Sequence, residues 1–78
     1  MTDAYVMLNC DLGAESAIIE QLKEIEQVVD VFETIGTHDM MVKLQADNFE
    51  TIRDIVSRNI QKLKNVRSTA TLIKKDNS

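Results

Sequence analysis

The sequence predicts an α+β fold: a single four-stranded antiparallel sheet with two helices on one face. Two observations point there first. Strand-like and helix-like apolar patterns follow one another in the order β-α-β-β-α-β. The middle two strand-like runs are separated only by a short polar turn, in the stretch Val31-Phe32-Glu33-Thr34-Ile35-Gly36-Thr37-His38-Asp39-Met40-Met41-Val42-Lys43-Leu44. A third observation concerns the strands themselves. They carry apolar residues on both alternating faces, so two helices on one side leave the other side of the sheet needing a cover.

The first strand is expected over Ala4–Cys10, which is almost continuously apolar. Asp11-Leu12-Gly13 then turns the chain. From about Ala14 to Ile25 the period becomes helical, with Ile18, Leu22 and Ile25 in one stripe and Ile19 beside it. Neither Gly13 nor Ala14 carries a capping oxygen, so this helix starts without a side-chain cap. The second strand is expected over Val28–Ile35, with Val29, Val31 and Ile35 on one face and Val28, Phe32 and Thr34 on the other.

A four-residue turn, Gly36-Thr37-His38-Asp39, leads into the third strand. There Met40, Val42, Leu44 and Ala46 alternate with Met41, Lys43 and Gln45. Asp47 at a cap position and Glu50 three residues on predict the start of the second helix, which runs to about Leu63. Its predicted buried stripe is Phe49, Ile52, Val56, Ile60 and Leu63. Asn65 suits a left-handed helix terminator, and Val66–Ile73 is the fourth strand. This order is the split βαβ, or ferredoxin-like, arrangement. Residues 1–78 read as one domain, with 74–78 as a frayed polar tail.

Size sets the next expectation. A domain of 78 residues buries only roughly 60% of the surface its unfolded chain exposes, so its core alone is marginal. With one Cys and one His there is no intrachain disulfide and no thiol or imidazole set for a zinc site. Oligomerisation is the remaining stabiliser, and the apolar free face of the sheet predicts a two-fold dimer formed sheet on sheet. No segment is long and apolar enough to span a membrane, and no signal peptide is recognisable, which predicts a cytoplasmic protein. The net charge of −4, from 13 acidic and 9 basic residues, disfavours direct binding to a phosphate backbone. The basic residues gather late, from Arg53 to Lys75, where they complement a helix C-terminus.

The catalytic inventory is small. Cys10, at the end of an apolar strand, reads as a buried and inert thiol. No nucleophile elbow, metal cluster or phosphate-cradling glycine loop is present, and no cofactor is expected. The turn is richer. Gly36, Thr37, His38 and Asp39 bring together a flexible backbone, a hydroxyl, an imidazole and a carboxylate. Exposed turn amides suit a ligand carboxylate and Asp39 suits a ligand ammonium. The same residues also suit a turn that merely closes on itself. Thr69 and Thr71, two apart on the last strand, present their hydroxyls to one face.

Several of these stretches together resemble one known domain. They are Ala4-Tyr5-Val6-Met7-Leu8-Asn9, the Thr34-Ile35-Gly36-x-x-Asp39 turn, the Val42-Lys43-Leu44-Gln45-Ala46-Asp47 step into a helix, and Val66-Arg67-Ser68-Thr69-Ala70-Thr71. In this order and spacing, from about Ala4 to Ile73, they resemble the effector (RAM) domain of the Lrp/AsnC family of leucine-responsive and asparagine-activated regulators. The resemblance implies dimers made sheet on sheet, higher rings that are commonly octamers, and an amino acid bound between dimers. It places the ligand-contacting turn on Gly36, Thr37, His38 and Asp39, and a threonine pair on Thr69 and Thr71. Full-length members carry a helix-turn-helix ahead of this domain. This sequence opens at the first strand, so it resembles the stand-alone form, which acts on full-length regulators without reading DNA itself.

Two positions depart from the family pattern. His38 stands where relatives commonly have Tyr or Phe, which makes the pocket wall more polar and pH-sensitive. Asn65 replaces a common glycine. Two other functions fit the same frame: a small dimeric enzyme of the cofactor-free monooxygenase type, drawing on Asn9, His38 and Tyr5, or a purely structural oligomer.

Overall fold

In the computed structural model, which describes residues 1–74, the predicted element order is present. Strand β1 spans Thr2–Cys10, helix α1 Glu15–Lys23, β2 Val28–Glu33, β3 Met40–Ala46, α2 Phe49–Ile55 and β4 Val66–Ile73. The strands form one sheet in the order β2-β3-β1-β4, with every neighbouring pair antiparallel. The tail expected from residue 74 falls, apart from Lys74, outside the described residues. Lys74 itself is still tied down, its amide donating to the Asp3 carbonyl at 2.9 Å.

The core lies between the sheet and the helices. Alternation along β1 and β3 sends Ala4, Val6, Leu8 and Cys10, with Met40, Val42, Leu44 and Ala46, to the helix side. Ile18 and Leu22 of α1 and Ile52 and Ile55 of α2 close over them. Helix α1 begins at Glu15 with no side-chain cap, as its sequence implied.

The second helix departs from expectation at both ends. Its cap is Asn48, one residue beyond the predicted Asp47. The Asn48 Oδ1 accepts from the Thr51 amide at 2.8 Å and from the Thr51 hydroxyl at 3.0 Å. Strand pairing holds through Ala46 opposite Thr2, so Asp47 is used to turn the corner. After Ile55 the helix widens into a π-helical turn, Val56–Ile60, in which the Gln61 amide donates to the Val56 carbonyl at 2.8 Å. Ile52, Val56 and Ile60 all remain buried through this wider turn. Phe49, expected in the buried stripe, is instead about half exposed, with the Arg53 guanidinium 5.7 Å from its ring centre. Asn65 is left-handed at φ 75°, as a helix terminator should be.

Strand β2 also differs. It ends at Glu33, so Thr34 and Ile35 join a six-residue connection, Thr34–Asp39, and Ile35 is fully exposed. A bulge spans Val28 to Asp30, which face Leu44 and Lys43 in turn. The extra residue, Val29, is pushed outward and is half exposed. Strict alternation therefore fails: Val28 and Val31 pack on the core, while Phe32 lies opposite Met41 on the other side of the sheet.

That other side carries Tyr5 and Met7 of β1, Met41 of β3, Phe32 of β2, and Ala70 and Leu72 of β4, as the registers require. Phe32 is 45% exposed and Leu72 56% exposed. One sheet face is thus a core, and the opposite face carries an apolar patch bordered by Asp3, Asn9, Asp30, Lys43, Gln45 and Ser68, with no helix over it.

Candidate functional site

The Thr34–Asp39 connection stands at the end of the sheet where β1 leaves at Cys10 and β4 enters at Val66. Its neck is closed by Thr34, whose amide donates to the Asp39 carbonyl at 3.0 Å and whose hydroxyl donates to the His38 carbonyl at 2.7 Å. Beyond the neck Ile35, Gly36 and Thr37 project into solvent and His38 is partly covered. Gly36 sits at φ 134°, where a side chain is strained, although a Cβ there would meet nothing within 4 Å. The glycine is needed for backbone freedom, not for space.

Asp39 fastens the connection to β1. Its amide donates to the Leu8 carbonyl and to the Asn9 Oδ1, both at 3.0 Å, and its Oδ2 accepts from the Cys10 amide at 3.0 Å. One carboxylate oxygen therefore has a structural task. Asn9 carries the linkage across the sheet, its Nδ2 donating to the Ser68 hydroxyl on β4 at 3.3 Å. Next to Ser68, the Thr69 hydroxyl accepts from Gln61 Nε2 at 3.0 Å, the first side chain beyond the π-helical turn.

The two threonines do share a face. Thr69 and Thr71 lie opposite Leu8 and Val6 on the helix side. They serve different hollows, however. Thr71 lines a groove of about 610 Å³ between α2 and β4, with Phe49, Ile52, Arg53 and Val56. Thr69 lines a smaller one with Gln61 and Arg67. Neither hollow includes Gly36–Asp39, which stands two strands, or about 10 Å, from Thr69. Within one chain Thr69 lies toward the turn's end of the sheet, Thr71 lies mid-strand opposite Val6, and neither of these hollows joins the turn to a threonine.

Asn9, Ser68, Thr34 and Gln61 were not marked as ligand-site residues by the sequence. The available signal was Asn9, a polar residue inside an otherwise apolar strand. As for an enzyme site, Tyr5 and Asn9 share a face four residues apart, about 13 Å along the strand, and Lys43 rather than a catalytic partner lies 5.9 Å from the Tyr5 ring centre.

The electrostatics of this end are acidic. The buried Cys10 thiol is held above its ordinary value of 9.0, first by removal from water and then by Glu15, Asp39, Asp11 and Glu33. Asp11 also meets Arg67 at 2.6 Å in an exposed pair. Cys10 should therefore react slowly with iodoacetamide at pH 8 in the native protein and rapidly in urea. Equal rates in the two conditions would contradict the buried, neutral thiol. Because its folded value is raised, Cys10 contributes stability that is present below pH 9.0 and lost as pH rises through the folded value. Among the described residues no group of three or more His, Cys, Asp or Glu is placed to hold a metal ion, and no helix is long and apolar enough to cross a membrane.

An antiparallel β-α-β-β-α-β domain, with a core on one sheet face and an exposed polar turn at its end, is a ferredoxin-like domain. The comparisons supply its family. The model described as the Lrp/AsnC ligand binding domain matches residues 3–75, and the chain belongs to that family. Among curated proteins it is 29% identical over 70 residues to the HTH-type transcriptional regulator FL11 of Pyrococcus horikoshii, covering 90% of this chain and 46% of that protein. The chain thus spans about half the length of the curated relatives it matches. The crystal structure of TTHA0845 from Thermus thermophilus superposes with a TM-score of 0.93 at 26% identity, covering 100% of this chain and 98% of that one. The transcriptional regulator NMB0573 of Neisseria meningitidis, solved as an L-Met complex, shares the fold at a TM-score of 0.88 and 10% identity, over 97% of this chain and 51% of that one.

Proposed function

We propose that this protein is an amino-acid-binding and oligomerisation module that modulates Lrp/AsnC-type transcription regulators in the cytoplasm, without contacting DNA itself and without catalysing a reaction. The observation that carries this reading is the family match over nearly the whole domain, on a chain whose exposed turn stands in an acidic end of the sheet. The L-Met complex of the Neisseria meningitidis regulator supports an amino acid as the ligand class. Gly36 and Thr37 offer exposed backbone amides to a carboxylate, and the acidic surroundings of Asp39 favour an ammonium. His38, Thr69 and Thr71 complete the proposed contact set. Since the hollows beside Thr69 and Thr71 do not reach the turn, the ligand is held where a second copy closes the site. Assembly through the apolar sheet face gives the dimer, and dimers build a higher ring, with an octamer as the expected size. Ligand then shifts assembly by its differential affinity for the assembled state.

The test is thermal unfolding against each standard amino acid in millimolar excess. A ligand present at a hundredfold excess over Kd stabilises the assembly by about 2.7 kcal/mol, or several degrees in a domain this small. Asp39→Asn is the informative variant, because an amide oxygen still accepts from the Cys10 amide while the charge is removed. Its expected result is a wild-type melt without ligand and a lost response with it. A flat panel for the wild-type protein would reject the amino-acid reading and leave the turn as a structural closure.

A further inference from the structure

We propose that Asn9 is a positioning residue for the turn: it holds Asp39 in one setting, with one carboxylate oxygen left for a ligand ammonium, and it fastens that setting to β4 through Ser68. This rests on the reading above that the turn takes an amino acid, and it brings to that site a residue from outside the turn. Asn9 touches no ligand in this role. It acts through Asp39.

Asn9 stands where the backbone ladders of β1 give out on both sides. It follows Tyr5 and Met7 along the helix-free side of the strand, one residue before β1 ends at Cys10. On the β3 side the last paired residues are Leu8 and Met40. On the β4 side the register shifts between Asn9 and Cys10, which face Ser68 and Val66 and pass over Arg67. A bulge of this kind re-aims the side chains around it. Here Arg67 turns to Asp11, and Ser68 is left directly opposite Asn9. A carboxamide at such a point has one acceptor oxygen and two donor hydrogens to spend on its neighbours.

Three hydrogen bonds close the gap. Asn9 Oδ1 accepts from the Asp39 amide at 3.0 Å, Asn9 Nδ2 donates to the Ser68 hydroxyl at 3.3 Å, and the Cys10 amide donates to Asp39 Oδ2 at 3.0 Å. The pair Asn9-Cys10 and the residue Asp39 thus exchange side-chain-to-backbone bonds in both directions. The same reciprocity makes a capping box tight at a helix start. Its effect here is to fix the Asp39 backbone and the Asp39 carboxylate together. Asp39 is nevertheless exposed, and its Oδ1 has no hydrogen-bond partner among the described residues. A charged oxygen already held in place forms a charge-assisted bond without the entropy cost of ordering its own side chain.

Ser68 decides which way the Asn9 amide faces. Turned over, Nδ2 would meet the Asp39 N–H, a donor against a donor. With the oxygen toward Asp39, Nδ2 points to β4, and the Ser68 hydroxyl gives it an acceptor. Ser68 adjoins Thr69, so a single side chain on β1 links the turn to the strand that carries the two threonines. The three bonds join residues 29, 30 and 59 positions apart in the chain, which is why the pattern of β1 alone marks Asn9 only as a polar residue in an apolar strand.

Amide hydrogen exchange, read by NMR without ligand, tests the proposal on the wild-type chain, Asn9→Ala, Ser68→Ala and the double variant. Asn9→Ala is expected to speed exchange at Asp39 and Cys10 by roughly two- to tenfold, the worth of one hydrogen bond in an opening equilibrium. Cys10 is the decisive amide, because its own acceptor is Asp39 and not Asn9. Ser68→Ala should speed the same two amides by less, although Ser68 bonds to neither. The double variant should match Asn9→Ala, since Ser68 then has nothing to hold. Val6 and Val42, paired in mid-sheet, should keep their wild-type rates. Faster exchange spread evenly over β1 and β3, an unchanged Cys10 amide in Asn9→Ala, or a double variant that sums the two singles would each overturn the proposal. Ser68 is exposed, so Ser68→Ala keeps the test alive if Asn9→Ala does not fold. Repeating the panel of standard amino acids on Asn9→Ala adds the binding readout. The amino acid that stabilises the wild-type protein should bind with a Kd roughly two- to tenfold higher, and an equal Kd would count against Asn9. A flat wild-type panel rejects the amino-acid reading alone, while the exchange rates still decide whether Asn9 sets the turn.

Discussion

Leu8→Ala is expected to cost about 2–5 kcal/mol, the range for truncating a fully buried leucine. Leu8 has no exposed surface and sits on β1, the strand that pairs with both β3 and β4. Removing its side chain leaves a cavity between Met40 and Thr69, its neighbours in the two registers. In a domain of this length each kcal/mol is worth about 4–8 °C, so the midpoint should fall by about eight degrees or more. Leu12→Ala is the control. Leu12 is 98% exposed in the turn after β1, and its truncation should change stability by no more than about 0.5 kcal/mol. Urea titrations at one fixed protein concentration make the comparison, because association adds to apparent stability. Similar losses for the two leucines would contradict the placement of the core on the helix side of β1.

If the proposed sheet-on-sheet dimer forms, Met41→Asp is expected to convert it to a monomer at micromolar concentration. Met41 lies on the helix-free side of the sheet, opposite Met7 on one flank and Phe32 on the other. A carboxylate there is taken out of water between two sheets, with Lys43 on the same face as the one nearby cation among the described residues of its strand. A poorly compensated buried charge costs roughly 3–5 kcal/mol, which weakens association by about two to four orders of magnitude. The chain itself should stay folded, since none of the core side chains on the other sheet face is altered. Light scattering would report the mass and far-ultraviolet circular dichroism the fold. A Met41→Asp protein that keeps the wild-type mass would remove the sheet-on-sheet dimer. A Met41→Gln variant, neutral and of similar length, should lie between the two.

Most of the fold was legible because β1, β3 and α1 are simple cases. Ala4, Val6 and Leu8 alternate without interruption, as do Met40, Val42 and Leu44, and a two-residue period has one meaning. The elements misjudged in detail are those where one residue was inserted or shifted. The bulge at Val29 changes the faces of β2, and the π-helical turn at Val56–Ile60 re-phases the second helix. Each insertion is settled by what lies across from it. Leu44 and Lys43 decide which β2 residues point inward, and the core beneath Ile60 decides how far the helix widens. A local pattern holds no information about either partner.

The candidate site divides in the same way. Gly36 and Asp39 were recognisable as turn residues from their types alone, and Thr69 and Thr71 as a pair on one face from their spacing. Their surroundings were not. Asp39 meets the Leu8 carbonyl and the Cys10 amide, both distant in sequence, only because β3 pairs with β1. Thr69 meets Gln61 because the π-helical turn ends there. The sequence by itself determined the element order and the core stripes of β1, β3 and α1, since these follow from periodicity and residue type within a dozen positions, while the resemblance to the family rested on motifs spaced from Ala4 to Ile73. Tertiary structure alone decided that half of the Asp39 carboxylate is committed to β1 and that the threonines line different hollows. Those facts depend on strand order and register, which bring together groups that no local spacing relates.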